Sequence, residues 1–137
     1  MDVKYFLAKT EPNTYSIDQL REDLKTTWDG VRNPQAVRAI SDMRPGDRVF
    51  IYHSGGASSV VGLAKVLSPP RPDPNDPKSM TVDLGYLTHL EPVSLAEIKQ
   101  SKLFNDWALV RQGRLSTMAA PDRFVDWIKD KQPGAKI

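Results

Sequence analysis

Two hexapeptides concentrate the residue types that could recognise a ligand. Trp28-Asp29-Gly30-Val31-Arg32-Asn33 gathers an aromatic plane, a carboxylate, a guanidinium and an amide in one short stretch. A flat face with orientable donors and acceptors is what a planar ligand such as a nucleobase requires. A plainer reading stays open, in which Trp28 plugs the core, Asp29-Gly30 makes a turn and Asn33 caps a helix. Arg111-Gln112-Gly113-Arg114-Leu115-Ser116 sets two arginines around a glycine. Arginine forks suit phosphate oxygens, and the bare Gly113 lets a ligand approach the backbone. A charged turn with solvated arginines is the alternative. His53-Ser54-Gly55-Gly56 follows an apolar run, and His53 could pair with a carboxylate, stand near a ligand or simply be a satisfied structural histidine.

Catalytic readings fare worse. Ser54 or Ser116 with His53 and an aspartate can be drawn as a hydrolase triad, but no GxSxG nucleophile elbow supports it. Gly55-Gly56 lacks the GxxxxGK[ST] spacing of a phosphate-binding loop. No paired acidic motif suggests glycosidase or two-metal chemistry. The chain has no cysteine and two histidines, His53 and His89. Disulfides, thiolate chemistry and cysteine-type metal sites are therefore excluded, and neither histidine sits in an HxxxH pattern. The expectation is a binding module and not an enzyme, with no metal and no cofactor. Met1-Asp2-Val3-Lys4 is polar, and no apolar run approaches the ~20 residues of a membrane span. A cytoplasmic chain without membrane contact is expected.

The elements that must position these residues are legible in outline. Tyr5-Phe6-Leu7-Ala8 reads as a strand stopped by Glu11-Pro12-Asn13. Ser16-Ile17-Asp18-Gln19 matches a capping box, opening a helix to Leu24 with Ile17, Leu20 and Leu24 on one face. Residues 26–33 show no period and read as a loop. Asn33-Pro34 starts a helix carrying Val37 and Ile40, which ends at Arg44-Pro45-Gly46-Asp47. Arg48–His53 and Val60–Leu67 read as strands. The proline-rich stretch from Pro69 to Pro77 reads as a surface loop, set away from Arg32. Met80–Tyr86, Thr88–Val93 and Ala108–Arg111 are further strand candidates. Ser94-Leu95-Ala96-Glu97 is a second capping box. Pro121 opens a last helix with Phe124, Trp127 and Ile128 on one face, and the tail from Gln132 is expected to fray.

At 137 residues, with 39% hydrophobic and 26% charged, the chain fits one domain, 1–137, that can bury roughly two-thirds of its unfolded surface. A formal charge of +2 excludes binding through a blanket of positive charge but not through a local basic site. Strand-rich segments without regular βα alternation predict an α+β fold, a small barrel with peripheral helices.

The motifs, taken together, resemble the EVE domain family. The matching pieces run in order: Tyr5–Pro12 with Tyr15-Ser16, Trp28–Asn33, Gly46-Asp47, Tyr52-His53-Ser54, Val61-Gly62-Leu63-Ala64, Pro72-Asp73-Pro74, Pro92-Val93-Ser94-Leu95 and Arg111–Ser116. Thr10 stands where the family usually has serine, which keeps the hydroxyl. The resemblance implies a PUA-like small mixed β-barrel, related to ASCH and YTH domains, and a reader of a flipped, modified nucleobase in DNA or RNA. It implies Trp28 as an aromatic wall, with Asn33 and the Asp29-Gly30 backbone at the polar base edges. It implies Arg32, Arg111 and Arg114 on phosphate, Gln112, Gly113, Leu115 and Ser116 on the second wall, and Thr10, His53 and Ser54 at the rim. The reader is expected to be a monomer. The alternatives are a binder of a free nucleoside-like small molecule and an enzyme acting on modified nucleic acid.

Overall fold

Val49, Phe50, Ile51 and Tyr52 are buried in succession, so both faces of their strand are covered by protein. That strand, β3 (Arg48–His53), lies inside one mixed sheet. The structure is a computed structural model that describes residues 3–56 and 58–137; the polar Met1-Asp2 start lies outside them. The other elements are β1 (Tyr5–Thr10), α1 (Ile17–Asp23), β2 (Lys25–Trp28), α2 (Pro34–Ser41), β4 (Ser59–Val66), β5 (Arg71–Asp73) and β6 (Asp76–Ser94). They continue with α3 (Leu95–Gln100), α4 (Ala108–Arg111), β7 (Thr117–Ala119) and α5 (Asp122–Lys131).

The sheet order is β2-β6-β4-β3-β1-β7, with β5 paired to β6. Among the described strands only β1 and β3 run parallel, from Tyr5↔Arg48 to Thr10↔His53. Parallel neighbours need a crossover, and α1, β2 and α2 supply it. The β4–β6 register shifts between Val60 and Gly62 and again between Leu63 and Ala64. Such irregularities bend and twist a strand. The sheet curls into a half-barrel, and β1 and β2, four places apart in the order, come to line one cavity. Gly62 allows α1 to press on the sheet: a Cβ there would stand 2.5 Å from Ile17 Cδ1.

One hydrophobic core joins these elements. Its aromatic part packs Phe50 against Phe124 at 5.3 Å and Trp107 against Phe124 at 4.6 Å between ring centroids. The indole Nε1 of Trp107 donates to Ala119 O at 2.9 Å, which pins β7.

Several expectations need correction. Residues 25–28 form β2, paired antiparallel with β6 from Lys25↔Gly85 to Trp28↔Val82. Four residues are too few for alternation to announce itself, although Thr26 and Trp28 do share the less exposed face. The stretch read as a proline loop contains β5, whose Pro72 pairs opposite Met80; an edge strand tolerates proline. Met80–Tyr86 and Thr88–Val93 belong to the single long β6. Ala108–Arg111 is a helical turn, with Gln112 N donating to Ala108 O at 2.7 Å. β7 went unread because Thr117–Ala119 is so short. Gln132 is held: its amide accepts from Glu91 N at 2.9 Å and donates to Glu91 O at 2.8 Å. The capping serines are in place, Ser16 accepting from Gln19 N at 3.0 Å and Ser94 from Glu97 N at 3.1 Å. The side chain of Gln19 turns forward to Asp23 at 2.9 Å and does not reach back.

Candidate functional site

The two ends of the curled sheet enclose an open cavity of about 490 Å³. β1 contributes Lys9 and Thr10, the loop after it Thr14 and Tyr15, and β2 Thr26, Thr27 and Trp28. Asp29, Gly30 and Val31 extend the wall, and Ser116 closes it. That volume falls in the range of small-ligand sites, which are commonly ~300–1,000 Å³.

Trp28 is half-buried and packs against the core from its edge. Tyr15 meets it edge-on, with ring centroids 6.3 Å apart and planes at 83°. Tyr15 is itself anchored, its hydroxyl donating to Asp23 Oδ2 at 2.9 Å, and burial pushes its phenol pKa up. The Thr10 hydroxyl donates to Tyr15 O at 2.8 Å, so its oxygen lone pairs remain as acceptors. Gly30, at φ +78°, takes the left-handed turn by which the chain leaves β2, a conformation that favours glycine.

Lys9 ties the second hexapeptide to this wall. Its Nζ donates to Gly113 O at 2.9 Å and its backbone N to Ser116 O at 2.8 Å. The ammonium also lies 5.6 Å from the Tyr52 ring centroid, and burial holds its pKa below the usual lysine range. Segments 28–31 and 113–116 therefore meet at one cavity, although more than eighty positions separate them in the chain.

Of the residues predicted from sequence, Thr10, Trp28, Asp29, Gly30 and Ser116 line the cavity. Gly113 borders it through Lys9. Arg111, Gln112 and Arg114 are exposed, and among the described residues neither arginine has an ion-pair partner. The others serve the fold. Asn33 Oδ1 accepts from Gln35 N at 2.8 Å and Ala36 N at 3.3 Å, capping α2. Arg32 pairs with Asp76 at 2.8 Å. The expectation that the aspartate-rich loop stays away from Arg32 is thus overturned, because the β5–β6 hairpin folds its tip onto residue 32. Leu115 is a core residue, 3% exposed. His53 Nε2 accepts from Ile17 N at 3.0 Å at the start of α1, and burial lowers its pKa. Ser54 N donates to Thr10 O at 2.9 Å, which fixes the backbone beside the rim.

Sequence reasoning missed Lys9, Thr14, Tyr15, Thr26, Thr27 and Val31 as lining residues. Had β2 been recognised, its alternation would have put Thr26 beside Trp28. Lys9 and Tyr15 lie within the motifs that carried the family resemblance. Among the described residues no cluster of histidine, aspartate and glutamate could hold a metal ion. No described helix is long and apolar enough to cross a membrane.

The EVE domain model matches residues 4–131. A Rhodopseudomonas palustris protein solved by NMR is 33% identical, with a TM-score of 0.89, covering 98% of this chain and 97% of that one. Mouse thymocyte nuclear protein 1 is 32% identical over 124 residues, 69% of this chain and 55% of the mouse protein; the chain thus spans about half the length of that relative. The human protein crystallised with DNA containing 5-methylcytosine shares the fold, at a TM-score of 0.84 and 23% identity over 94% of this chain and 98% of that one. A Zymomonas mobilis ASCH protein shares it more distantly, at a TM-score of 0.62 and 13% identity. The half-barrel is the PUA-like fold, and with a family model matching nearly its whole length the chain belongs to the EVE domain family.

Proposed function

We propose that this chain is a reader module that binds DNA carrying a modified cytosine and seats the extruded base in the cavity against Trp28. The observation that carries the reading is a half-buried tryptophan forming one wall of an open cavity. An aromatic face that only filled the core would have no cavity in front of it. Stacking a base on such a face is worth about 1–3 kcal/mol. The rest of the lining supplies hydroxyls from Thr10, Thr14, Thr26 and Ser116, the Asp29 carboxylate and the Lys9 ammonium. Such groups satisfy the polar edge of a base once pairing is lost. Arg111 and Arg114, exposed beside Ser116, suit the phosphates flanking the flipped nucleotide. The human relative crystallised with 5-methylcytosine DNA supports the choice of DNA and of cytosine. The same proposal includes a monomeric, cytoplasmic module that performs no catalytic step.

A free nucleoside is the second reading. The pairing of Arg32 with Asp76 favours it, since this leaves fewer cations for phosphate. A panel of oligonucleotides carrying cytosine, 5-methylcytosine and other modified bases, in DNA and RNA, tests the proposal. A modified-cytosine DNA should bind above its unmodified control, with affinity falling as salt rises. Equal binding of all strands would overturn modified-base reading, and salt-independent binding of a free nucleoside would favour the second reading.

A further inference from the structure

Among the described residues, Lys9 is the one cation lining the cavity, and no carboxylate is paired with it. A structural lysine at a protein surface usually trails into solvent or meets an acid. This one is half-buried between the Tyr52 ring at 5.6 Å and Gly113 O at 2.9 Å. The carbonyl can hold one N–H, which leaves the lone pair of the neutral amine free to face a ligand. Partial burial penalises the charged form and holds the pKa below the usual lysine range, so more of the neutral amine is present than for a solvated lysine. Desolvated lysines are the ones used as amine nucleophiles toward carbonyl groups.

We propose that Lys9 captures an aldehyde on a base held in this cavity, forming a reversible imine, so that the site retains a formyl-bearing pyrimidine covalently. The Nζ lone pair of the neutral amine attacks the carbonyl carbon, and one Nζ proton passes to the former carbonyl oxygen to give a carbinolamine. The second Nζ proton leaves with that hydroxyl as water, as the C–O bond breaks and the C=N bond to Nζ forms. One water is released, and no oxidant or reductant takes part. Asp29, which also lines the cavity, is the carboxylate available to carry the proton. A 5-methyl group presents no electrophile and passes through the same site unreacted. The inference rests on the cavity's taking a pyrimidine base, as proposed above.

The test incubates the whole chain with 5-formyldeoxycytidine, as the free nucleoside and within an oligodeoxynucleotide, in the presence of cyanoborohydride. A matched 5-methylcytosine strand is the control. Peptide mapping should find the reduced adduct on Lys9, with exposed lysines such as Lys25 and Lys78 unmodified and the control unlabelled. Lys9→Arg should abolish the adduct. Mapping on the unaltered chain needs no variant to fold. Labelling scattered over the exposed lysines, or none at Lys9, overturns the inference. Two further outcomes separate it from the proposed function. If the methylated strand binds but the formyl strand gives no Lys9 adduct, capture is refuted and DNA reading stands. If the free nucleoside labels Lys9 while no oligonucleotide binds, capture stands and DNA reading is refuted.

Discussion

The two hexapeptides have similar chemistry in sequence and divide the work differently in space. In residues 28–33 the polar side chains are largely committed: Asn33 caps α2 and Arg32 is held by Asp76. The aromatic Trp28 remains at the cavity, with the Asp29 carboxylate beside it. In residues 111–116 the reverse holds. Leu115 is buried and Gly113 O is taken by Lys9, while Arg111 and Arg114 stay exposed without ion-pair partners among the described residues. One segment offers a flat wall and the other offers charge. An aromatic–polar cluster is thus not evidence that each of its members contacts a ligand; the partners each side chain already has decide that.

The sharpest way to break this division is Trp28→Ala. Loss of the stacking face should weaken ligand binding by roughly tenfold to a hundredfold, matching about 1–3 kcal/mol. Because Trp28 is half-buried, its stability cost should fall below the ~3–5 kcal/mol of a fully buried aromatic. Melting and binding measured on the same variant separate the two. A badly destabilised protein whose folded fraction binds normally would show that Trp28 is a core residue and that the wall lies elsewhere.

The arginines test the other half. Arg111→Ala and Arg114→Ala should each weaken binding to any strand by a similar factor and lower the salt slope by about one counterion. Arg32→Ala should leave both nearly unchanged, and its exposed ion pair should contribute at most about 1 kcal/mol of stability. Asn33→Ala should cost about 1 kcal/mol of stability through the lost cap. A salt slope that responds to Arg32 as strongly as to Arg114 would erase the contrast.

How much of this was legible in the sequence follows from the range of the interactions. β1, β3, β4 and four helix starts were readable because caps, an opening proline and apolar runs are local. β2, β5 and β7 were not, because strands of three or four residues owe their existence to a distant partner. The site divided in the same way. Trp28 and Ser116 stood out by type, and the resemblance drew them together. That Arg32 was already taken depended on a hairpin tip more than forty positions away. Lys9 went unnoticed because nothing beside it in sequence reveals the Gly113 carbonyl.

The smallest expected effect concerns the rim. His53 accepts the Ile17 N–H at 3.0 Å, which only its unprotonated Nε2 can do. Burial, the leading cause, lowers its pKa from the ordinary 6.5; the nearby Asp18 opposes this and His89 adds to it. A base with a depressed folded pKa takes up its proton more readily when unfolded. Its contribution is therefore complete above about pH 6.5 and is lost as pH falls through the lower folded value. His89 also contacts the first turn of α1, at 2.6 Å from Asp18 Oδ1, and hydrogen bonding from His89 keeps the Asp18 carboxyl below its usual range. That carboxylate loses its contribution only at lower pH, below about 4. The variant His53→Gln keeps an acceptor for Ile17 N–H and removes the titration, while His89 remains. Between about pH 7.5 and 5 the melting temperature of the natural chain should fall relative to that of His53→Gln, by a small amount because His53 is only partly buried. Parallel pH profiles would show that His53 does not sense pH. A falling one would reach the site, since α1 begins two residues after Tyr15, the ring that meets Trp28 edge-on.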